Sequence, residues 1–265
     1  MLIDLIRRYL IFSIFLTCCG CSLPFVEKGP VEPITISGVL NGRTVLSGSV
    51  EMTGDLLIPA GSELIIRAGT TITVVPSEST KIDPEYLSSQ TELLVRGRLL
   101  VEGEPDNMVN FVPRIGEPTD EPLWAGIILD GADNSEVRHA SLWKPDTGLL
   151  IIATSPRVIG NWINRARYGI VVQGGAAKIL DNVIADGEGG VFCWDGTTAY
   201  LKGNRIVDNE EEGIVVSRDS RPYLDRNRVS GNSIGLIVPA DLPYDPTRIA
   251  GNGQDIRLLV EKAKP

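Results

Sequence analysis

An all-β, three-sided solenoid is the fold this sequence predicts, from two markers that repeat in phase and from the strand-like pieces between them. Glycine followed by three apolar residues recurs at Gly126, Gly148, Gly169, Gly190, Gly213 and Gly235, with spacings of 22, 21, 21, 23 and 22. Asn161, Asn182, Asn204 and Asn227, spaced 21, 22 and 23, keep the same beat, each followed by one residue and then Ile or Val. A period near 22 is too short for helix-pair repeats, and the leucine–asparagine spacing of leucine-rich repeats is missing. Each unit divides instead into three short extended pieces separated by Gly, Asn or Asp; in the clearest unit these are GIVVS, PYLDRN and RVSGN. Val- and Ile-rich strands broken by such turn formers coil into three-sided rungs, whose strands stack in parallel about 4.8 Å apart.

Along the chain, residues 1–20 read as an address. Arg7 and Arg8 precede an apolar run from Tyr9 to Leu16, far short of the roughly 20 apolar residues of a membrane-spanning helix, which is the pattern of a secretory signal. Its end resembles a bacterial lipobox, in two competing frames. Leu16-Thr17-Cys18 ahead of Cys19 has the better first residue, and Gly20 ahead of Cys21 the better last one; Cys21 is the favoured site of acylation, palmitate-type chains included, and Cys19 the alternative. Several acyl chains on one cysteine anchor stably where a single chain is marginal. Residues 21–33, with three prolines in SLPFVEKGPVEP, form a lipidated tether, and residues 34–262 the repeat domain. The expected location is the cell envelope, on the periplasmic or surface face of a Gram-negative outer membrane.

Composition narrows the partners. The chain has 265 residues, 43% hydrophobic and 22% charged, with 28 glycines and 17 prolines, which suits one turn-rich globular domain. A net charge of -9 without a Lys/Arg cluster argues against nucleic acid. Of the four cysteines only Cys193 lies beyond the address, so no disulfide framework is expected; within GVFCW it reads as a small buried hydrophobe.

The repeat continues earlier in looser form. GDLLIPAGSELIIRAGTTITVV and TELLVRGRLLVEGEPDNMVNFVP alternate apolar residues around glycine corners. Here the sequence resembles right-handed parallel β-helix proteins of the pectate-lyase-like superfamily, most of all secreted and lipoprotein members with degenerate repeats. The resemblance spans about residues 34–260 and implies the fold, some ten rungs, while this scaffold hosts many functions. Stacked at equivalent corners, the four asparagines are expected to hydrogen-bond from rung to rung. Ile163, Ile184, Ile206 and Val229 on one wall, and Ile170, Val191, Ile214 and Leu236 on another, are expected inside.

Alternation then turns a third set outward. Ile128, Leu150, Val171, Phe192, Val215 and Ile237 are apolar on six consecutive rungs, a strip about 24 Å long at ~4.8 Å per step. Such a strip is either covered by the chain itself or used as an interface. The coverings offered by the sequence are the loop 75–90, the insert 113–122 and the C-terminal DIRLLVEK; the users are a second copy, a protein partner, or a polysaccharide or lipid surface. Trp194, outward on the same wall, is the favoured aromatic for stacking a sugar. Lys178, Tyr200, Lys202 and Asp225 mark a neighbouring wall as polar.

β-Helix enzymes that act on polysaccharides use clustered carboxylates with a basic residue on an outer face. The candidates are Asp195 and Asp219, on neighbouring rungs, with Arg218 beside them to neutralise a uronate; Asp130 and Asp241 fall nearby. Turn chemistry explains the same aspartates, which sit among Gly, Ser and Pro. The Asp-Pro-His motif of β-helix uronate epimerases is absent, and His139 is the sole histidine. No metal cluster of His and Cys is expected, and no cofactor. DNEEEG at 208–213 reads as a solvated acidic turn. The expectation is therefore a non-catalytic envelope lipoprotein, a β-helix binding or scaffold module, with a polysaccharide lyase, hydrolase or epimerase using the Asp cluster as the alternative.

Overall fold

The computed structural model describes residues 32–77 and 87–260. The signal segment, Cys19, Cys21 and most of the tether lie outside these residues, as do the middle of the 75–90 loop and the last five residues. The described chain is a right-handed parallel β-helix, all its strand pairings parallel apart from one short antiparallel bridge in a turn.

Three walls make the solenoid. The glycine wall comprises the end of Ser49–Ile58, then Glu92–Val95, Trp124–Asp130, Pro145–Ile152, Tyr168–Gln173, Gly189–Trp194, Glu212–Val216, Ile234–Pro239 and Gln254–Leu259. The asparagine wall runs through Val109–Pro113, Ala140–Trp143, Trp162–Asn164, Val183–Ala185, Arg205–Val207 and Arg228–Ser230. The third wall is a separate eight-stranded sheet from Arg43–Leu46 to Tyr223–Asp225. Inward residues of all three walls merge into one aliphatic core, in which Ile163, Ile184, Ile206, Val229, Ile170, Val191, Ile214 and Leu236 are at most 1% exposed.

The two sequence markers turn out to be one device. A Cβ on Gly169 would sit 2.3 Å from Cγ2 of Ile184, and one on Gly190 2.3 Å from Cγ2 of Ile206 and 2.2 Å from the Gly213 carbonyl. Gly148, Gly169, Gly190 and Gly213 thus make room for the aliphatic of the next rung's Asn-x-Ile/Val, which is why the markers keep phase. The asparagines stack as expected: Nδ2 of Asn161, Asn182 and Asn204 donates to Oδ1 of the next at 2.9, 2.9 and 2.8 Å. Each also donates to a carbonyl of the preceding rung, at 2.8–3.0 Å. All four are at most 7% exposed, so their amides need these bonds. A second ladder, Asn209–Asn232–Asn252, with Nδ2 to Oδ1 distances of 2.9 Å, follows the next corner.

Just before each first-ladder asparagine the backbone turns left-handed, with φ 63 at Gly160, 54 at Asp181, 68 at Gly203 and 53 at Arg226. His139, at φ 46, occupies the same corner one rung earlier, its ring packed over Gly160. It is a corner residue.

Candidate functional site

The outward strip exists and is longer than the six expected positions. Leu57 and Leu94 precede Ile128, Leu150, Val171, Phe192, Val215 and Ile237 in strict register, and the column ends at Arg257. Its side chains shield one another. Ile128, Val171, Phe192 and Ile237 are 9% exposed or less, and only Leu150 and Val215 are half-buried. Phe192 shows how: its ring lies down over Gly189, whose Cβ would be 2.6 Å from Cζ, and meets Tyr168 and Trp194 edge-on at 5.1 and 5.5 Å. Trp194 does face outward, as a partner of Phe192. Leu57, Leu94 and Ile128 form an outer cluster of their own with Leu150 and Ile152.

Loop and insert meet beside the N-terminal end of this strip. The backbone N–H groups of Leu87 and Ser88 both donate to the Glu92 carboxylate at 2.8 Å, and Gln90 Nε2 donates to the Pro122 carbonyl at 3.1 Å.

The aspartates past the strip are held by turn bonds. Asp219 accepts from the Ser217 hydroxyl, from its own backbone N–H and from that of Gly196; the Ser217 bond leads in keeping its carboxyl below the usual carboxylate range. The corners of Asp195 and Asp219 therefore touch through the Gly196 N–H. Asp195 itself occupies a left-handed corner position, φ 55. Arg218 Nη2 donates to the Val260 carbonyl at 2.9 Å. Asp130 pairs with Arg96 at 3.0 Å and Asp241 with Arg221 at 3.1 Å. A hydrolytic pair needs one carboxyl protonated and one ionised, and the bonds at Asp219 favour its ionised form.

A different corner carries a charged cleft of about 540 Å³, which the sequence reading passed over. It lies between Asp120, Glu121 and Pro122 of the insert and the stacked residues Lys144, Arg165 and Asp186. Arg167 is shared there by Asp146, Glu121 and Glu188, and Arg165 lies over the Trp143 ring at 5.5 Å. Lys144 is 6% exposed and donates to the Thr119 carbonyl. Burial pushes the Glu188 carboxyl up; Arg167 opposes this, while Glu211, Glu210 and Glu121 add to it. The signal was present in the spacing of Lys144, Arg165, Asp186 and Asp208, 21, 21 and 22 residues apart.

The position between Asn and the aliphatic in each repeat is the outward one of the asparagine wall. Trp162, Val183, Arg205 and Arg228 follow one another there in register. The bridge between Val229 and Ile249 then sets Arg248 alongside Arg228.

Donors for a soft or borderline metal are sparse among the described residues. His139 is the sole imidazole; of the thioethers, Met52 is 1% exposed, and half-buried Met108 precedes Val109, whose N–H donates to the His139 carbonyl at 3.1 Å. Cys193 is wholly buried, which pushes its thiol up to about 12. Among the described residues, no three His, Cys, Asp or Glu side chains converge on a common point, the acidic turn 208–213 included.

Comparison with known proteins adds the lineage. No curated protein matches the chain. Among solved structures, a crystal structure of a mutant of the periplasmic alginate epimerase AlgG is similar, at 14% identity and a TM-score of 0.30, covering 88% of this chain and 78% of that one. The family described as "Periplasmic copper-binding protein (NosD)" matches residues 103–252, which take in every rung from Gly126 to Gly235 and both asparagine ladders. With 150 of its 265 residues in that match, the chain belongs to the NosD family of right-handed parallel β-helix proteins.

Proposed function

We propose that this protein is a non-catalytic, lipid-anchored β-helix module of the cell envelope that binds a partner on its outer walls. The observation that carries the reading is the state of the candidate catalytic corner. Asp219 is held ionised by Ser217 and two backbone N–H groups, and Arg218 is engaged by the Val260 carbonyl. The periplasmic description of the family agrees with a cell-envelope address. The signal and the cysteines at 19 and 21 add anchoring, with Cys21 as the acylated residue on an outer membrane. Copper, which the family description names, does not fit the described residues. Copper sites use imidazole, thiolate or thioether donors in convergent sets, whereas here His139 and the neighbouring Met108 offer two donors at most, the Cys193 thiol is sealed and Met52 lies in the core. The half-buried Leu150 and Val215, flanked by Trp194, are the part of the apolar strip open to a protein partner or a second copy.

The test uses the mature chain without its lipid. Incubation with acidic polysaccharides is expected to yield no shortened, unsaturated or epimerised product. A product that Asp195→Asn or Asp219→Asn abolishes would establish the polysaccharide-active alternative. Light scattering of the wild type and Val215→Asp reads the strip: an oligomer broken by the substitution makes it a self-interface, and a folded monomer in both removes self-association from the reading.

A further inference from the structure

We propose that Trp162, Arg205, Arg228 and Arg248 form a track on the asparagine wall that binds an acidic glycan strand lying along the solenoid axis; this rests on the reading of the protein as a binding module and names its ligand class. Arg205 and Arg228 are direct cross-strand neighbours, and Arg248 continues the column. Like charges placed opposite each other on adjacent strands repel. Yet the guanidinium groups of Arg205 and Arg228 have no hydrogen bond, ion pair or ring contact among the described residues, and Arg248 reaches only Asp245, at 3.9 Å. The chain does not lack carboxylates to pair with them, since its net charge is -9. Two stacked arginines without a partner among the described residues, next to a third with one distant carboxylate, are a place where negative charge is to be supplied from outside.

Geometry and chemistry choose the class. The column is one residue wide and runs straight, from Trp162 through Val183 to Arg248, about 19 Å over four steps of ~4.8 Å. That line matches a linear polymer with acidic groups at regular intervals; the planar surface of a membrane would need basic residues spread across the wall. At its far end Arg228 and Arg248 flank an open hollow of about 410 Å³ with Ser230 and Thr247, room for one carboxylate-bearing ring. At its near end Trp162 is 49% exposed, on a wall whose inward residues are buried, and offers a flat apolar face of the kind that sugar rings stack on. Guanidinium groups pair with carboxylates through two parallel N–H donors.

The experiment measures binding of polygalacturonate oligomers to the mature protein by calorimetry, with dextran oligomers of equal length and vesicles of anionic phospholipid as comparisons. Polygalacturonate is expected to bind and dextran not to. Arg205→Glu and Arg228→Glu should each weaken binding at least tenfold, and Trp162→Ala several-fold. Arg157→Glu, on the third wall, should leave affinity unchanged with all variants folded by circular dichroism. Absence of polygalacturonate binding overturns the proposal, as does equal loss in Arg157→Glu or binding confined to the vesicles. A protein that binds the polymer and also changes it keeps the track and overturns the non-catalytic reading; one that does neither keeps that reading and loses the track.

Discussion

Two walls of this solenoid treat charge in opposite ways. On the third wall all five arginines have a carboxylate within reach on the same wall. Glu63 lies between Arg43 and Arg98 at 3.0 and 2.8 Å, Glu136 is shared by Arg157 and Arg138 at 3.2 and 3.4 Å, and Arg67 pairs with Glu102. On the asparagine wall Arg205, Arg228 and Arg248 follow one another with no acid between them. Both columns are built on parallel ladders of the same kind, one in each sheet. The difference shows that a solenoid can neutralise an outward column or leave it charged without changing its core, so an unneutralised column is a choice of side chains and not a demand of the fold.

The comparison can be broken most severely by removing the register on which both columns depend. Asn204→Ala leaves the buried amides of Asn182 and Asn227 without their shared partner, and is expected to destabilise the domain by about 2–4 kcal/mol in urea unfolding. Glu63→Arg converts the paired column into one resembling the arginine stack; the expected loss is about 0.5–1 kcal/mol by the same measurement, reduced at high salt. The reverse exchange sharpens the contrast: Arg228→Glu places an acid between Arg205 and Arg248 and should raise stability by about 0.2–1 kcal/mol while weakening glycan binding. A variant that lost both stability and binding would mean that the stack has a structural role. The smallest effect concerns Asp219, whose folded carboxyl titrates below the usual carboxylate range because of the Ser217 hydroxyl and backbone N–H groups. A lowered folded pKa contributes stability that is present above the unfolded value and is lost as pH falls through the folded one. Thermal melts of wild type and Ser217→Ala should therefore differ slightly at pH 7 and converge at strongly acid pH.

Much of this was legible in the residues, and what was missed has physical causes. The period, the ladder from Asn161 to Asn227 and the inward aliphatics follow from local spacing, because a solenoid repeats each neighbour relation on every rung. The strip was legible as apolar, but not as self-shielded: Phe192 lies down because Gly189 leaves space and Tyr168 borders it, a relation across rungs that alternation does not encode. The arginine column sat in the one position of Asn-x-Ile/Val that the repeat does not constrain, and Arg248 joins it through an isolated bridge outside the period. The charged cleft depends on an insert that follows no repeat, so the spacing of Lys144, Arg165 and Asp186 revealed a corner but not the wall facing it. At Asp195 and Asp219 two readings competed, and the hydrogen bonds of Asp219 favour the turn.

Cys193 has a practical consequence. It sits in the middle of the core stack, between Val172 and Val216 in register, fully enclosed and with its thiol pushed up to about 12. With Cys21 as the acylated residue, Cys18 and Cys19 leave with the signal. The native protein then carries a single silent thiol, which reacts with a maleimide only when the central rungs part. Its labelling rate is a clock for the opening of the middle of the solenoid, read without adding a dye, a tag or a substitution to the sequence.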